Sequence, residues 1–255
     1  VLNKNFYEQP LNERVRTLLR LEFLFRQVQH YLPGESEWDS QGALTGLFEL
    51  LTIFGRSDLK TEAIKELERL QTNLSRLQKS PHVDRERLDE FLQQIESLAD
   101  TLRANNMQLG QQLKDSEFLH SIRQRSTIPG GACDFDLPNY HYWRRSPAEQ
   151  RVSDLENWFQ DFDPIRNATE LILQLIRSSA PPTPQVAKGG FYQQNLDTHT
   201  PYQMVRVLLP PDSDCFPEIS GGKHRFSIRF MVFSIDKPTQ PVEEDISFEL
   251  CCCAI

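Results

Sequence analysis

The chain is 255 residues long, with 38% hydrophobic and 25% charged residues, enough for one large domain or two small ones with a sizeable core. Its net charge is −8, which argues against generic nucleic-acid binding, since that needs a basic face. No apolar run approaches the ~20 residues of a membrane span, and the start, from Val1 to Gln9, lacks the basic-then-apolar layout of a signal peptide, so the expectation is a cytosolic protein.

The first two thirds carry helical periodicity. Pro10 opens a predicted helix to about Tyr31, striped by Leu11, Val15, Leu18, Phe25 and Val28. A second, from Ser40 to Gly55, is nearly encircled by Leu44, Leu47, Phe48, Leu51 and Phe54 and should be deeply buried. Ser57 to Gln78 and Asp84 to about Ala104 read as a long antiparallel pair broken at Ser80-Pro81-His82. Their mixed charges, Glu66 and Arg69 among them, read as a solvated face. A further helix runs from about Gln108 to Arg125.

The segment Arg123 to Arg145 then breaks the pattern. It collects Pro129-Gly130-Gly131, Cys133, Asp134, Asp136, His141 and four arginines. A catalytic loop, a metal site and a recognition surface all fit such a composition. After it, Ser146-Pro147-Ala148-Glu149 reads as a capping box, and Asp163-Pro164 as a second cap-plus-proline start. Ser178 to Pro184 stops helices altogether.

Beyond that point the period changes from 3.6 to 2. Strands are predicted at Tyr202–Leu209, along Phe226, Ile228, Phe230 and Val232, and along Ile246, Phe248 and Leu250, with turns at Pro210-Pro211-Asp212 and Ser220-Gly221-Gly222. The fold class is α+β, with a mostly helical domain over 1–180 and a smaller, mainly antiparallel β domain over 181–255. The 126–145 loop region falls near the junction.

Catalytic motifs are scarce: no G-x-S-x-G, P-loop or dinucleotide fingerprint occurs. Cys133, His141 and Asp136 offer a thiol, an imidazole and an orienting carboxylate, the ingredients of a small hydrolase. Five cysteines, three of them adjacent at Cys251-Cys252-Cys253, lack zinc-site spacing, and no metal or other cofactor is expected. The terminal Cys252-Cys253-Ala254-Ile255 superficially fits a prenylation box, but an edge strand with a frayed terminus explains it better. Arginines cluster locally: Arg14, Arg16 and Arg20; Arg123, Arg125, Arg144 and Arg145; and Lys223, His224, Arg225 and Arg229. Such patches suit acidic partners.

Several ordered segments resemble the ZapD family of bacterial cell-division proteins. They include Pro10-Leu11-Asn12-Glu13, Arg16-Thr17, Arg20, Glu22-Phe23, Arg123-Gln124-Arg125, Ile128-Pro129-Gly130-Gly131 and Phe135-Asp136-Leu137-Pro138. Gly190-Phe191-Tyr192-Gln193, Arg225-Phe226 and Ile228-Arg229-Phe230-Met231 continue the series. The resemblance implies a non-enzymatic homodimer at the mid-cell division site. It would bind the C-terminal tail of FtsZ, the tubulin-like GTPase of the division ring, and bundle its protofilaments. By the same resemblance the tail contacts are Arg16, Arg20, Arg56, His141, Arg225 and Arg229. Asp115-Ser116-Glu117-Phe118 stands where a further basic residue is expected. A nucleic-acid-binding regulator using the same arginines is the alternative outside the family; neither nucleic acid nor membrane insertion is expected.

Overall fold

A computed structural model describes residues 5–55, 58–78, 83–104 and 109–255. The chain opens with strand β1 (Asn5–Pro10). Helices follow: α1 (Glu13–Tyr31), α2 (Glu37–Phe54), α3 (Leu59–Leu77), α4 (Arg85–Ala104), α5 (Gln111–Asp115), α6 (Glu117–Ser126), α7 (Pro138–Arg144), α8 (Ala148–Phe159) and α9 (Asp163–Ser178). Strands complete it: β2 (Thr183–Ala187), β3 (Phe191–Asn195), β4 (Tyr202–Leu209), β5 (Cys215–Gly221), β6 (Arg225–Val232), β7 (Gln240–Pro241) and β8 (Ile246–Ala254). The class is α+β. Two compact units emerge, one of residues 20–172 and one joining 173–255 to the segment that ends at Leu19.

In the helical unit, α1 and α2 approach closely because α2 presents glycine where bulk would collide. A Cβ on Gly46 would lie 2.6 Å from Val28 Cγ2, and one on Gly42 would lie 2.8 Å from the Tyr31 ring. Helix α2 begins at a capping box in which the Ser36 hydroxyl accepts from the Asp39 amide and Asp39 accepts from the Ser36 amide. That box starts the helix three residues earlier than the apolar stripe alone suggests. Leu44, Leu47, Phe48 and Leu51 are buried on it, as its encircling apolar pattern predicts, whereas Phe54 is only partly buried. Arg151 of α8 is buried and donates to the carbonyls of Glu35 and Ser146 and to the Ser40 hydroxyl, tying α8 to the start of α2.

In α3 and α4, leucines at Leu67, Leu70, Leu74, Leu88 and Leu102 are buried together with Ile95. The charged face is mostly solvated, with one correction: Glu66 is buried and ion-paired to Arg69 at 2.6 Å. The Ser80-Pro81-His82 break lies outside the described residues, as do Ser57 and Gln108 at two predicted helix starts. The predicted helix ending at Arg125 is two helices, α5 and α6, separated at Ser116, whose hydroxyl caps α6 by accepting from the Leu119 amide. Nor does the expected Ser146 capping box form. Pro147 occupies the cap position of α8, and the Ser146 hydroxyl donates to the Tyr142 carbonyl.

The strand unit is two antiparallel sheets, ordered β1-β4-β8-β2 and β3-β6-β5, with β7 pairing the end of β6. Val205, Val207, Leu209, Phe248 and Leu250 of the first sheet pack with Phe226, Ile228 and Phe230 of the second. Alternation ends at Phe230: Met231 is buried and Val232 exposed, contrary to the predicted stripe. Ser220 and Gly221 belong to β5 rather than to a turn. Pro10 closes β1 rather than opening α1, and the Asn12 side chain caps the helix by accepting from the Val15 amide at 2.9 Å.

The three-cysteine segment is likewise not an edge strand. β8 is interior, hydrogen-bonded to β4 on one side and β2 on the other. Cys252 packs against the inter-sheet core, whereas Cys251 and Cys253 are buried on the opposite face. Burial pushes the Cys252 thiol up to about 11 and the Cys253 thiol up to about 12.

Candidate partner-binding site

The segment that breaks the helical pattern after Arg125 is a run of tight turns. The Ile128 amide donates to Arg125 O at 2.9 Å, the Gly131 amide to Ile128 O at 2.9 Å, and the Cys133 amide to Gly130 O at 3.2 Å. Gly130 has φ +70°, and a Cβ on Gly131 would fall 2.5 Å from the Arg125 carbonyl oxygen, so both positions require glycine. Pro138, pre-set for the first helical position, then starts α7 inside what the sequence presents as loop.

These turns form one wall of a groove of about 570 Å³ within the helical unit; α2, α6 and α7 supply the rest. Leu44, Phe48, Ile122 and Tyr140 give it an apolar floor. Trp38 stands on its rim with 70% of its surface exposed, and the turn segment also exposes Ile128. The floor is stiff: Tyr140 stacks on Trp143 at 6.0 Å between ring centroids, and the Trp143 indole donates to Asp154 at 2.9 Å. Burial pushes the Tyr140 hydroxyl up, against the pull of nearby Arg144.

Cations line the same groove. The Arg144 guanidinium lies over the rings of both Trp38 and Tyr140, 5.0 and 5.7 Å from their centroids. It pairs with Glu37 at 3.0 Å, and Arg145 reaches the other Glu37 oxygen at 3.6 Å. His141 and Cys133 also line the groove. Asp136, however, is engaged by Arg125 at 3.4 Å, so its carboxylate is committed elsewhere than to orienting the imidazole.

The other carried-over residues lie on separate elements. Arg16 and Arg20 are one turn apart on the exposed face of α1; Arg16 pairs weakly with Glu13 at 3.4 Å, and Arg20 has no acidic partner among the described residues. Arg225 and Arg229 project from the same face of β6, and the Arg229 guanidinium lies 5.9 Å from the Phe191 ring centroid on neighbouring β3. Arg225, Lys223 and His224 border a hollow of about 440 Å³ with Ser220, Ser227 and Gln193. Neither arginine on β6 has an acidic partner among the described residues. Arg56 lies outside the described residues.

Arg144 belongs to one of the arginine patches that the sequence offers to an acidic partner, whereas Trp38 and Tyr140 carry no such signal. Starting the second helix at Ser40 left Trp38 in a loop, whereas the Ser36/Asp39 pair, spaced as a capping box, would have placed it on the first turn. Among the described residues no group of three His, Cys, Asp or Glu is placed to hold a metal ion.

Comparison with known proteins places the chain as a whole. Residues 19–229 match the family model described as ZapD, a cell division protein. The chain is 40% identical over 254 residues to the cell division protein ZapD of Methylococcus capsulatus, covering 99% of each sequence. It is 42% identical over 249 residues to that of Aromatoleum aromaticum, covering 98% and 97%, and 41% identical over 248 residues to that of Ralstonia pickettii, covering 97% and 98%. The protein is therefore a cell-division protein. The chain belongs to the ZapD family.

Proposed function

We propose that this protein binds the C-terminal tail of FtsZ and, as a homodimer, crosslinks FtsZ protofilaments into bundles, promoting assembly of the division ring at mid-cell in the cytoplasm. The tail contacts are Arg16, Arg20, Arg56, His141, Arg225 and Arg229. The observation that carries this reading is the state of its cations. In a chain of net charge −8, Arg20, Arg225 and Arg229 are exposed without carboxylate partners among the described residues, available to an acidic ligand. The groove around His141 supplies the apolar anchoring that a short peptide needs beside charge matching.

The mechanism is avidity rather than catalysis. A two-fold dimer presents each site twice, and two weak contacts with a polymer exceed either alone by roughly 10²–10⁴ when both can engage. The engagement of Asp136 by Arg125 weighs against the hydrolase built on Cys133 and His141. No bond need be made or broken by this chain for bundling.

Co-sedimentation with GTP-assembled FtsZ, intact or lacking its C-terminal tail, tests this. Recovery and bundling with intact FtsZ alone are expected. Equal recovery with both forms would move the contact to the FtsZ body. Failure with both, together with steeply salt-dependent binding to nucleic acid, would favour the alternative regulator.

A further inference from the structure

The groove in the helical unit already holds a carboxylate, and it belongs to the protein itself. Glu37, on the first turn of α2, reaches across to both arginines of α7 and its C-terminal cap, Arg144 at 3.0 Å and Arg145 at 3.6 Å. Arg144 is an unusually prepared receptor. Its side chain is only 16% exposed, it lies over the rings of Trp38 and Tyr140, and its Nε is buried without a hydrogen-bond partner. A guanidinium packed against two rings offers a fork to a carboxylate, and Glu37 engages it through Nη2. Glu37 is itself partly exposed and can swing towards solvent.

We infer that Arg144 and Arg145 form the carboxylate subsite of the groove, taking an acidic residue of an extended peptide whose apolar neighbour lies on the Trp38 rim, and that Glu37 is a built-in competitor occupying this subsite in the free protein. The arrangement deepens the tail-binding reading and rests on it for the identity of the peptide. Binding exchanges one carboxylate for another, so affinity stays modest while peptides without an acidic residue are rejected, because they would leave the displaced pair uncompensated.

The test compares wild type with Glu37→Gln by fluorescence anisotropy, using labelled FtsZ tail peptide and, separately, a labelled synthetic peptide alternating glutamate with isoleucine and phenylalanine. Removing the competitor should tighten binding about three- to fivefold, a gain in the range of one partly exposed ion pair. The gain should vanish in Glu37→Gln/Arg144→Met. The capping box of α2 uses Ser36 and Asp39, so circular dichroism should report unchanged helix content. Unchanged or weaker binding of both peptides to Glu37→Gln would overturn the inference, leaving Glu37 a structural brace. Should the FtsZ tail bind neither form while the synthetic peptide still gains, the competitor stands and the FtsZ assignment falls. Should wild type bind the FtsZ tail without gain in the variant, the reverse holds.

Discussion

Arg177, at the last turn of α9, forks onto Glu8 of β1, donating from Nε at 2.9 Å and from Nη2 at 2.7 Å. Arg206 of β4 donates to the same carboxylate at 2.9 Å. The first strand is thus bolted to its neighbour in the sheet and to the helix end by one largely buried charge group. Burial alone would raise the Glu8 carboxyl, but the hydrogen bonds and charges of the two arginines outweigh it and hold the group below its ordinary value of 4.5.

Because that value is depressed in the folded state, the stabilisation is fully present above about pH 4.5 and is lost as pH falls through the depressed value. Glu8→Gln should therefore cost about 3 kcal/mol at pH 7, since it leaves two guanidiniums without their counter-ion. It should also flatten the acid limb of the stability curve. Denaturant unfolding of both proteins between pH 3 and 7 checks this; parallel acid limbs would show that other carboxylates dominate.

Arg151→Ala should destabilise the helical unit by about 3 kcal/mol, because the Glu35 and Ser146 carbonyls lose a charged donor in a buried setting. The same side chain anchors the start of α2, where Trp38 and Glu37 stand. Peptide affinity should therefore fall with stability, even though Arg151 is not among the groove-lining residues. Thermal unfolding alongside peptide titration separates this outcome from a purely local effect.

Thiol reactivity should be sharply graded. Cys133 is exposed, whereas Cys251 and Cys253 are buried and the Cys252 and Cys253 thiols are displaced far above neutral pH. A disulfide-exchange reagent at pH 8 should modify Cys133 first and reach Cys251 and Cys253 only on unfolding. Rapid labelling within β8 in the native protein would show that this sheet opens readily.

Arg20→Glu and Arg225→Glu should each weaken FtsZ co-sedimentation tenfold or more while leaving the melting temperature unchanged, as expected for exposed charges that face a partner rather than a neighbour. Normal recovery with either variant would remove that residue from the contact.

Much of the fold is written in local periodicity. The leucine spacing of α3 and α4 and the apolar run of Tyr202–Leu209 place those elements within a residue or two of where they stand. β1 escaped because Asn5–Pro10 has little strand character of its own and is defined by pairing with β4, whose residues lie about two hundred positions away. The interior position of β8 is similarly invisible, since strand order is a tertiary property. The groove depends on Glu37 and Trp38 of α2 meeting Arg144 of α7, two segments about a hundred residues apart, and no spacing rule announces that meeting. The clusters holding Arg16, Arg20, Arg225 and Arg229 are visible in the sequence, while their naming with His141 as tail contacts rests on family resemblance; that Arg125, Arg144 and Arg145 are engaged by acids while Arg20 and Arg225 are not, among the described residues, is legible only in three dimensions.

The pairing of Asn5 with Leu209 has a consequence for biosynthesis. At roughly 5–20 residues per second, a ribosome takes on the order of 10–40 s to pass from one partner to the other. Through that interval the nascent β1 has no strand to join, while residues 20–172 emerge as one contiguous block with its own core. β8, which separates β4 from β2, emerges later still. The helical half can mature on the ribosome, whereas the sandwich must wait for its central strand, leaving an unpaired early strand that a nascent-chain chaperone would be best placed to shield.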